Sequence, residues 1–149
     1  MKFTIIGSGQ TYAAIRQLAG ELQIHNVTFL ERAEYTALPD FIASADVCLG
    51  IFGNTGKTQR VIPNKVYEYA AMAKPIITSD TPAVRELFNE QEIMLIRNDD
   101  PEILADAIVR LQKDPDLRNR LAENGYRKFV NSATPEILGQ QLKNIIEKL

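Results

Sequence analysis

Five short apolar runs, each followed by a stretch with helical spacing, limit this chain to one class of fold. The runs cover residues 3–6, 27–30, 47–51, 75–78 and 93–96. Gly7 and Gly9 stop the first, and Ile15, Leu18, Ala19 and Leu22 then recur at intervals of three and four. A weaker helical pattern follows over 38–45 and a stronger one over 63–73. Near-continuous apolar strands alternating with helices predict a parallel sheet covered on both faces. The expected architecture is a Rossmann-like doubly wound α/β domain, a single domain over 1–149. From residue 100 the pattern is purely helical. Asp100-Pro101, Asp114-Pro115 and Thr134-Pro135 each set a capping side chain before a proline, predicting three helix starts in a tail over 100–149. Leu104, Ala107, Ile108 and Leu111 form one apolar stripe there, and Leu138, Leu142, Ile145 and Leu149 another.

Composition narrows the function classes. At 149 residues the chain is long enough to bury a core, and 45% hydrophobic with 24% charged residues suits a globular protein. A net charge of −2 and a pI near 5.5 argue against a nucleic-acid partner. Cys48 is the one cysteine, so no intrachain disulfide forms and a reducing, cytoplasmic setting is expected. No apolar run reaches the roughly 20 residues that span a bilayer. The segment MKFTIIGSGQ is too glycine-punctuated for a signal peptide.

Residues 61–77, VIPNKVYEYAAMAKPII, carry the chemistry. Pro63 suits the first position of a helix, where a missing N–H costs nothing. The backbone amides of Asn64, Lys65 and Val66 would then point out of the helix end with the positive end of the dipole behind them, a ready anion site. Glu68 lies one turn on and shares a face with Asn64 and Lys65. A carboxylate about a turn from bound phosphate can accept hydrogen bonds from a ribose diol. The alternative for Glu68 is an exposed ion pair with Lys65, worth about 0.3 kcal/mol.

The run PNKVYEYAAMAKPIIT resembles the signature helix of retaining glycosyltransferases of the GT-B fold, family 4 (group 1). KFTIIGSGQ resembles that family's strand and glycine turn, NVTFLERA its next strand and loop, and SADVCLGIF the strand before the signature. NDDPEILADAIVRLQKDPDLRNRLAENGYRKF resembles its helical tail. The ordered likeness runs from about residue 2 to 148. It implies that Glu68 is the ribose-binding second glutamate of the family's paired motif. The first should stand eight positions earlier, where this chain has Arg60, leaving donor-sugar recognition open. Arg60 is either a bidentate contact to diphosphate or an anionic sugar, or a solvated loop arginine. By the same resemblance Met1 precedes what would be the second strand of a C-terminal half, and a separate N-terminal acceptor-binding domain or partner chain is expected.

Other motifs sort against their alternatives. Gly7-Ser8-Gly9 begins a dinucleotide fingerprint, but Tyr12 stands where the third small residue belongs, so NAD binding is disfavoured. Gly7 and Gly9 instead form a tight turn that, by family analogy, lies near the sugar or diphosphate. Gly53-Asn54-Thr55-Gly56-Lys57-Thr58 is one residue out of register for a P-loop, since Ile51 occupies its first glycine. It reads as a flexible loop with Lys57 able to approach phosphate. Leu30, Glu31 and Arg32 end the second strand at the carboxyl edge, where the family packs the base. Arg85 and Glu86 read as an ordinary helix start, Tyr67, Tyr69 and Met72 as packing, and His25 as neither ligand nor base. Cys48 reads as core.

The resemblance implies the donor-binding domain of a glycosyltransferase, taking a UDP- or GDP-linked sugar, with a glycan, lipid or small molecule as acceptor. The isolated chain is expected to be inactive. No metal or other cofactor is expected, and peripheral membrane contact is compatible with a full enzyme. Alternatives are a non-catalytic nucleotide- or partner-binding module, a GT-B sugar epimerase, and the disfavoured NAD or P-loop enzymes.

Overall fold

The computed structural model describes residues 1–98 and 100–148 and divides into two compact units, 1–41 and 42–149. Every paired strand is parallel, as the near-continuous apolar runs require.

In the first unit, β1 (Phe3–Ile6) pairs in register with β2 (Val27–Leu30), Phe3 opposite Val27 through Ile6 opposite Leu30. Helix α1 (Tyr12–Glu21) makes the crossover. Both strands occupy the expected residues. None of residues 1–41 is fully buried, and the stripe of Ile15, Leu18 and Leu22 lies on solvent, with Leu22 62% exposed. Helix α2 (Leu38–Ser44) carries the chain onward.

The second unit holds the core. Its sheet runs β3 (Cys48–Leu49), β4 (Ile76–Ser79), β5 (Met94–Ile96), with β4 central and wholly buried. Alternation along β4 divides its side chains between two apolar clusters. Ile76 packs with Val66 and Ala70 of α3 (Asn64–Ala71), Val84 of α4 (Pro82–Arg85), Phe88 and Ile93. Ile77 packs with Ile96, Ala107 and Leu111 of α5 (Pro101–Lys113), and Leu117 and Leu121 of α6 (Pro115–Ser132). A sheet covered on both faces is what the sequence predicts for this region.

Strand β3 is shorter than its apolar run. Beyond Leu49 the pairing passes to single bonds: Gly50 N–H donates to Ile77 O at 2.8 Å and Ser79 N–H to Ile51 O at 3.0 Å. Thr78 Oγ1 takes the Ile51 amide at 3.2 Å. Gly50 is required here, because a Cβ at this position would stand 2.3 Å from Thr78 Oγ1. The three predicted tail helices form where expected, and α7 (Pro135–Ile146) is the last. Its stripe does not join the core: Leu138, Leu142 and Ile145 are exposed. Leu149 lies outside the described residues.

Candidate functional site

The candidate residues fall in both units: Gly7, Gly9, Leu30 and Glu31 in the first, and Lys57, Arg60, Asn64, Lys65, Val66 and Glu68 in the second.

Helix α3 starts one residue later than the sequence suggests. Pro63 is the capping residue (φ −64°, ψ 144°), not the first helical one. Proline has neither a side-chain acceptor nor an N–H, so no side chain caps the helix. The Val66 amide is not free as expected. It donates to Pro63 O at 2.9 Å, and the Val66 side chain is fully buried in the core. The amides of Asn64 and Lys65 have no acceptor among the described residues. Both residues are exposed, so the helix tip is open to solvent with two donors and the dipole directed outward.

Glu68 is half-buried on the next turn, and the ion pair with Lys65 does not form. Among the described residues its carboxylate has no partner. Lys65 has solvent-exposed area, yet burial, its leading influence, pulls its ammonium below the usual lysine range, and nearby Cys48 opposes that shift. Burial holds the Cys48 thiol up at about 11, with Lys74 and Lys65 pulling the other way. Cys48 is therefore an inert core thiol, as its place in the strand predicted. Tyr69 packs against the core, and burial, then Cys48 and Glu68, push its phenol to about 12. Tyr67 is raised by burial and then by Glu86.

The loop before α3 is tied internally rather than loose. Thr58 is buried, and its single hydroxyl hydrogen is shared between Gly53 O and Thr55 O, each 2.7 Å from Oγ1, which also accepts from Thr55 N–H at 3.1 Å. A second link runs from Thr58 N–H to Thr55 Oγ1 at 3.3 Å. Two threonines three apart around a glycine are the sequence signal for such hydroxyl turns, and the expectation of flexibility overlooked it. The loop leads into the single turn Thr58–Arg60, not the long helix of a P-loop. Lys57 and Arg60 both stand exposed on it with no ion pair among the described residues.

At the carboxyl end of β4, the chain turns into α4 through Thr81, whose hydroxyl accepts from Val84 N–H at 3.2 Å. Arg85 grips Asp80 with two bonds, of 2.6 and 2.8 Å, and reaches Glu90 at 2.5 Å. Arg85 thus serves this surface network, which the sequence did not suggest. Its partners' carboxyls sit below the usual range, Asp80 and Glu90 each chiefly through their hydrogen bonds with Arg85.

In the first unit Gly7 N–H donates to Leu30 O at 2.9 Å, so the glycine turn and the end of β2 meet. Gly7 has φ 140°, a conformation that disfavours side chains. Glu31 follows β2 at the carboxyl edge and is exposed. Among the described residues no group of three or more His, Cys, Asp or Glu is placed to hold a metal, and no helix is long and apolar enough to cross a membrane.

The chain is similar to several known proteins. A mannosyltransferase of Corynebacterium glutamicum, described as GDP-mannose-dependent and acting on a monoacylated phosphatidylinositol monomannoside, is 26% identical over 149 residues. That alignment covers 96% of this chain but 38% of the relative, so the chain spans well under half its length. HepE of Anabaena, solved in complex with UDP, superposes over 100% of this chain and 41% of its own, with a TM-score of 0.86 at 15% identity. Sucrose-phosphate synthase of Thermosynechococcus elongatus covers 97% of this chain and 37% of its own, with a TM-score of 0.76 at 21% identity. These likenesses establish a Rossmann-like α/β fold of the GT-B type with a helical tail. The family model described as "Glycosyl transferases group 1" matches residues 1–114, and the chain belongs to that family.

Proposed function

We propose that this chain is the donor-binding part of a glycosyltransferase that moves a sugar from a nucleotide diphosphate sugar to a glycan, lipid or small acceptor. The observation that carries the reading is the open start of α3, with Glu68, a glutamate without a partner among the described residues, one turn deeper. The Asn64 and Lys65 amides and the helix dipole suit a diphosphate, and Glu68 suits a ribose diol. Lys57 and Arg60, exposed on the preceding loop and without an ion pair among the described residues, add positive charge for the same anion. Arg60 has the better geometry for a diphosphate or an acidic sugar, since it donates two parallel bonds.

In this reading the protein's contribution is electrostatic, with fixed amides and cations stabilising the diphosphate as it departs. No metal is invoked. The acceptor is bound by a part outside these 149 residues, in keeping with the 38% of the mannosyltransferase that the chain spans.

Calorimetric titration of UDP, GDP and ADP tests the proposal. Glu68→Ala should weaken any nucleotide that binds by about tenfold, the loss of one or two hydrogen bonds to a charged group. Affinity that does not change in Glu68→Ala ends the ribose role, and absence of binding by the native chain ends the proposal.

A further inference from the structure

We infer that the free edge of β5 and the face of α5 beside it form a two-fold contact surface on which a second copy of this chain docks, independently of the nucleotide reading above. β5 is an outer strand of its sheet, and among the described residues it pairs with β4 alone. Asp80 N–H donates to Ile96 O at 2.7 Å, so Ile96 turns its backbone groups toward β4. By alternation the Leu95 amide and carbonyl project to the free edge, one donor and one acceptor ready for another strand. Beside that edge a hollow of about 220 Å³ is lined by β5 and by Ile103, Asp106, Ala107 and Arg110 of α5. These four recur at steps of three and four, so a single helical face borders the hollow.

The charges on that face identify the occupant. Asp106 and Arg110 are exposed and stand one turn apart, a spacing that allows an ion pair within the helix. They form none with each other or with any described side chain. They are, however, complementary to a copy of themselves. When two α5 helices run antiparallel about a two-fold axis level with Ile108, Asp106 of each faces Arg110 of the other. Because strand and helix line the same hollow, one axis serves both and turns the two β5 strands antiparallel. Leu95 of each then donates its N–H to the Leu95 carbonyl of the other, and the two three-stranded sheets join. Met94 and Ile103, both half-buried, lose their remaining exposure over the seam. A strand from another protein would have to supply a matching acid and base, whereas a second copy carries both.

Sedimentation equilibrium of the whole chain over micromolar concentrations tests this, with thermal melts verifying that each variant folds. The native chain should pass from its monomer mass of 16.7 kDa to twice that as concentration rises. Asp106→Arg sets arginine against arginine across the axis and should raise the dissociation constant by about tenfold or more. Arg110→Asp should do the same by opposing two acids. Combining Asp106→Arg with Arg110→Asp rebuilds both pairs in reverse and should restore dimerisation. A native chain that stays monomeric throughout overturns the inference. So does a dimer indifferent to the single exchanges, or one that the double exchange fails to restore. Each of these results leaves the nucleotide reading untouched.

Discussion

Four helices of the 42–149 unit open on threonine or aspartate followed by proline, and one opens on proline itself. At α4, α5, α6 and α7 the capping side chain closes the end. Thr81 accepts from Val84 N–H, Asp100 from Glu102 and Ile103 N–H, Asp114 from Leu117 N–H, and Thr134 from Ile137 N–H. At α3 proline holds the capping position, and two amides are left to solvent. Within the 42–149 unit α3 is the exception to closure among these five starts; in the first unit α1 is open as well, because Thr11 makes no side-chain cap bond. The starts of α4, α5, α6 and α7 are sealed by the residue before the proline. The start that lacks such a residue, α3, has Glu68 a turn away, a carboxylate with no partner among the described residues.

Three measurements can break or sharpen that contrast. The largest effect is expected from giving α3 the cap it lacks. Pro63→Asp suits the extended backbone there, and its carboxylate would take an amide while repelling phosphate. Pyrophosphate and nucleotide affinity should fall about tenfold or more, while the free chain gains up to about 1 kcal/mol in denaturant unfolding. Binding that survives intact would mean the open tip has no part in holding anions. Removing an existing cap should act only on stability. Asp114→Ala should cost about 1 kcal/mol, and Thr134→Ala less, because its bond is long at 3.4 Å and α7 buries no residue. Neither should alter nucleotide affinity, and a change in binding for either would dissolve the distinction between sealed and open starts.

The smallest effect separates the caps by charge. Bonding to Arg97, then to the Ile103 amide, lowers the Asp100 carboxyl below its ordinary value. A depressed folded value means its contribution is complete above the unfolded value of about 4 and is lost as pH falls through the folded one. The melting temperature should therefore decline below about pH 4, and Asp100→Asn should flatten that part of the curve. The Thr134 hydroxyl does not itself titrate, but Glu136 beside it is held below its ordinary value by its own amide and then by Thr134, so the α7 start shares the acid dependence. An identical acid limb in Asp100→Asn would assign the decline to the other lowered carboxylates, Asp80, Glu90 and Glu136.

Elements that obey local rules were legible from residue order. β1 and β2 end where glycine or a change of polarity ends them, and the Asp-Pro and Thr-Pro pairs mark their helices to the residue. Legibility failed where one residue type serves two positions. Proline fits both the cap and the first turn of a helix, and only the observed ψ of Pro63 separates them. It failed again where a side chain joins the backbone in pairing, as when Thr78 Oγ1 takes the Ile51 amide past Leu49. Glu68 was visible as a candidate from spacing alone. That Lys65 leaves it unpaired was not, because spacing permits an ion pair without compelling one. The apolar stripes of α1 and α7 were legible as stripes, but nothing in their period says whether a partner covers them.

The contact at Gly50 has one more consequence. Two residues make a meagre ladder, and a strand that short would ordinarily be free to slip along its neighbour. Here crowding replaces length: the bare α-carbon nests against the threonine hydroxyl so closely that any offset of the two backbones would drive a side chain into it. Alignment of the segment leading toward Lys57 and Arg60 is thus fixed by one missing methyl group.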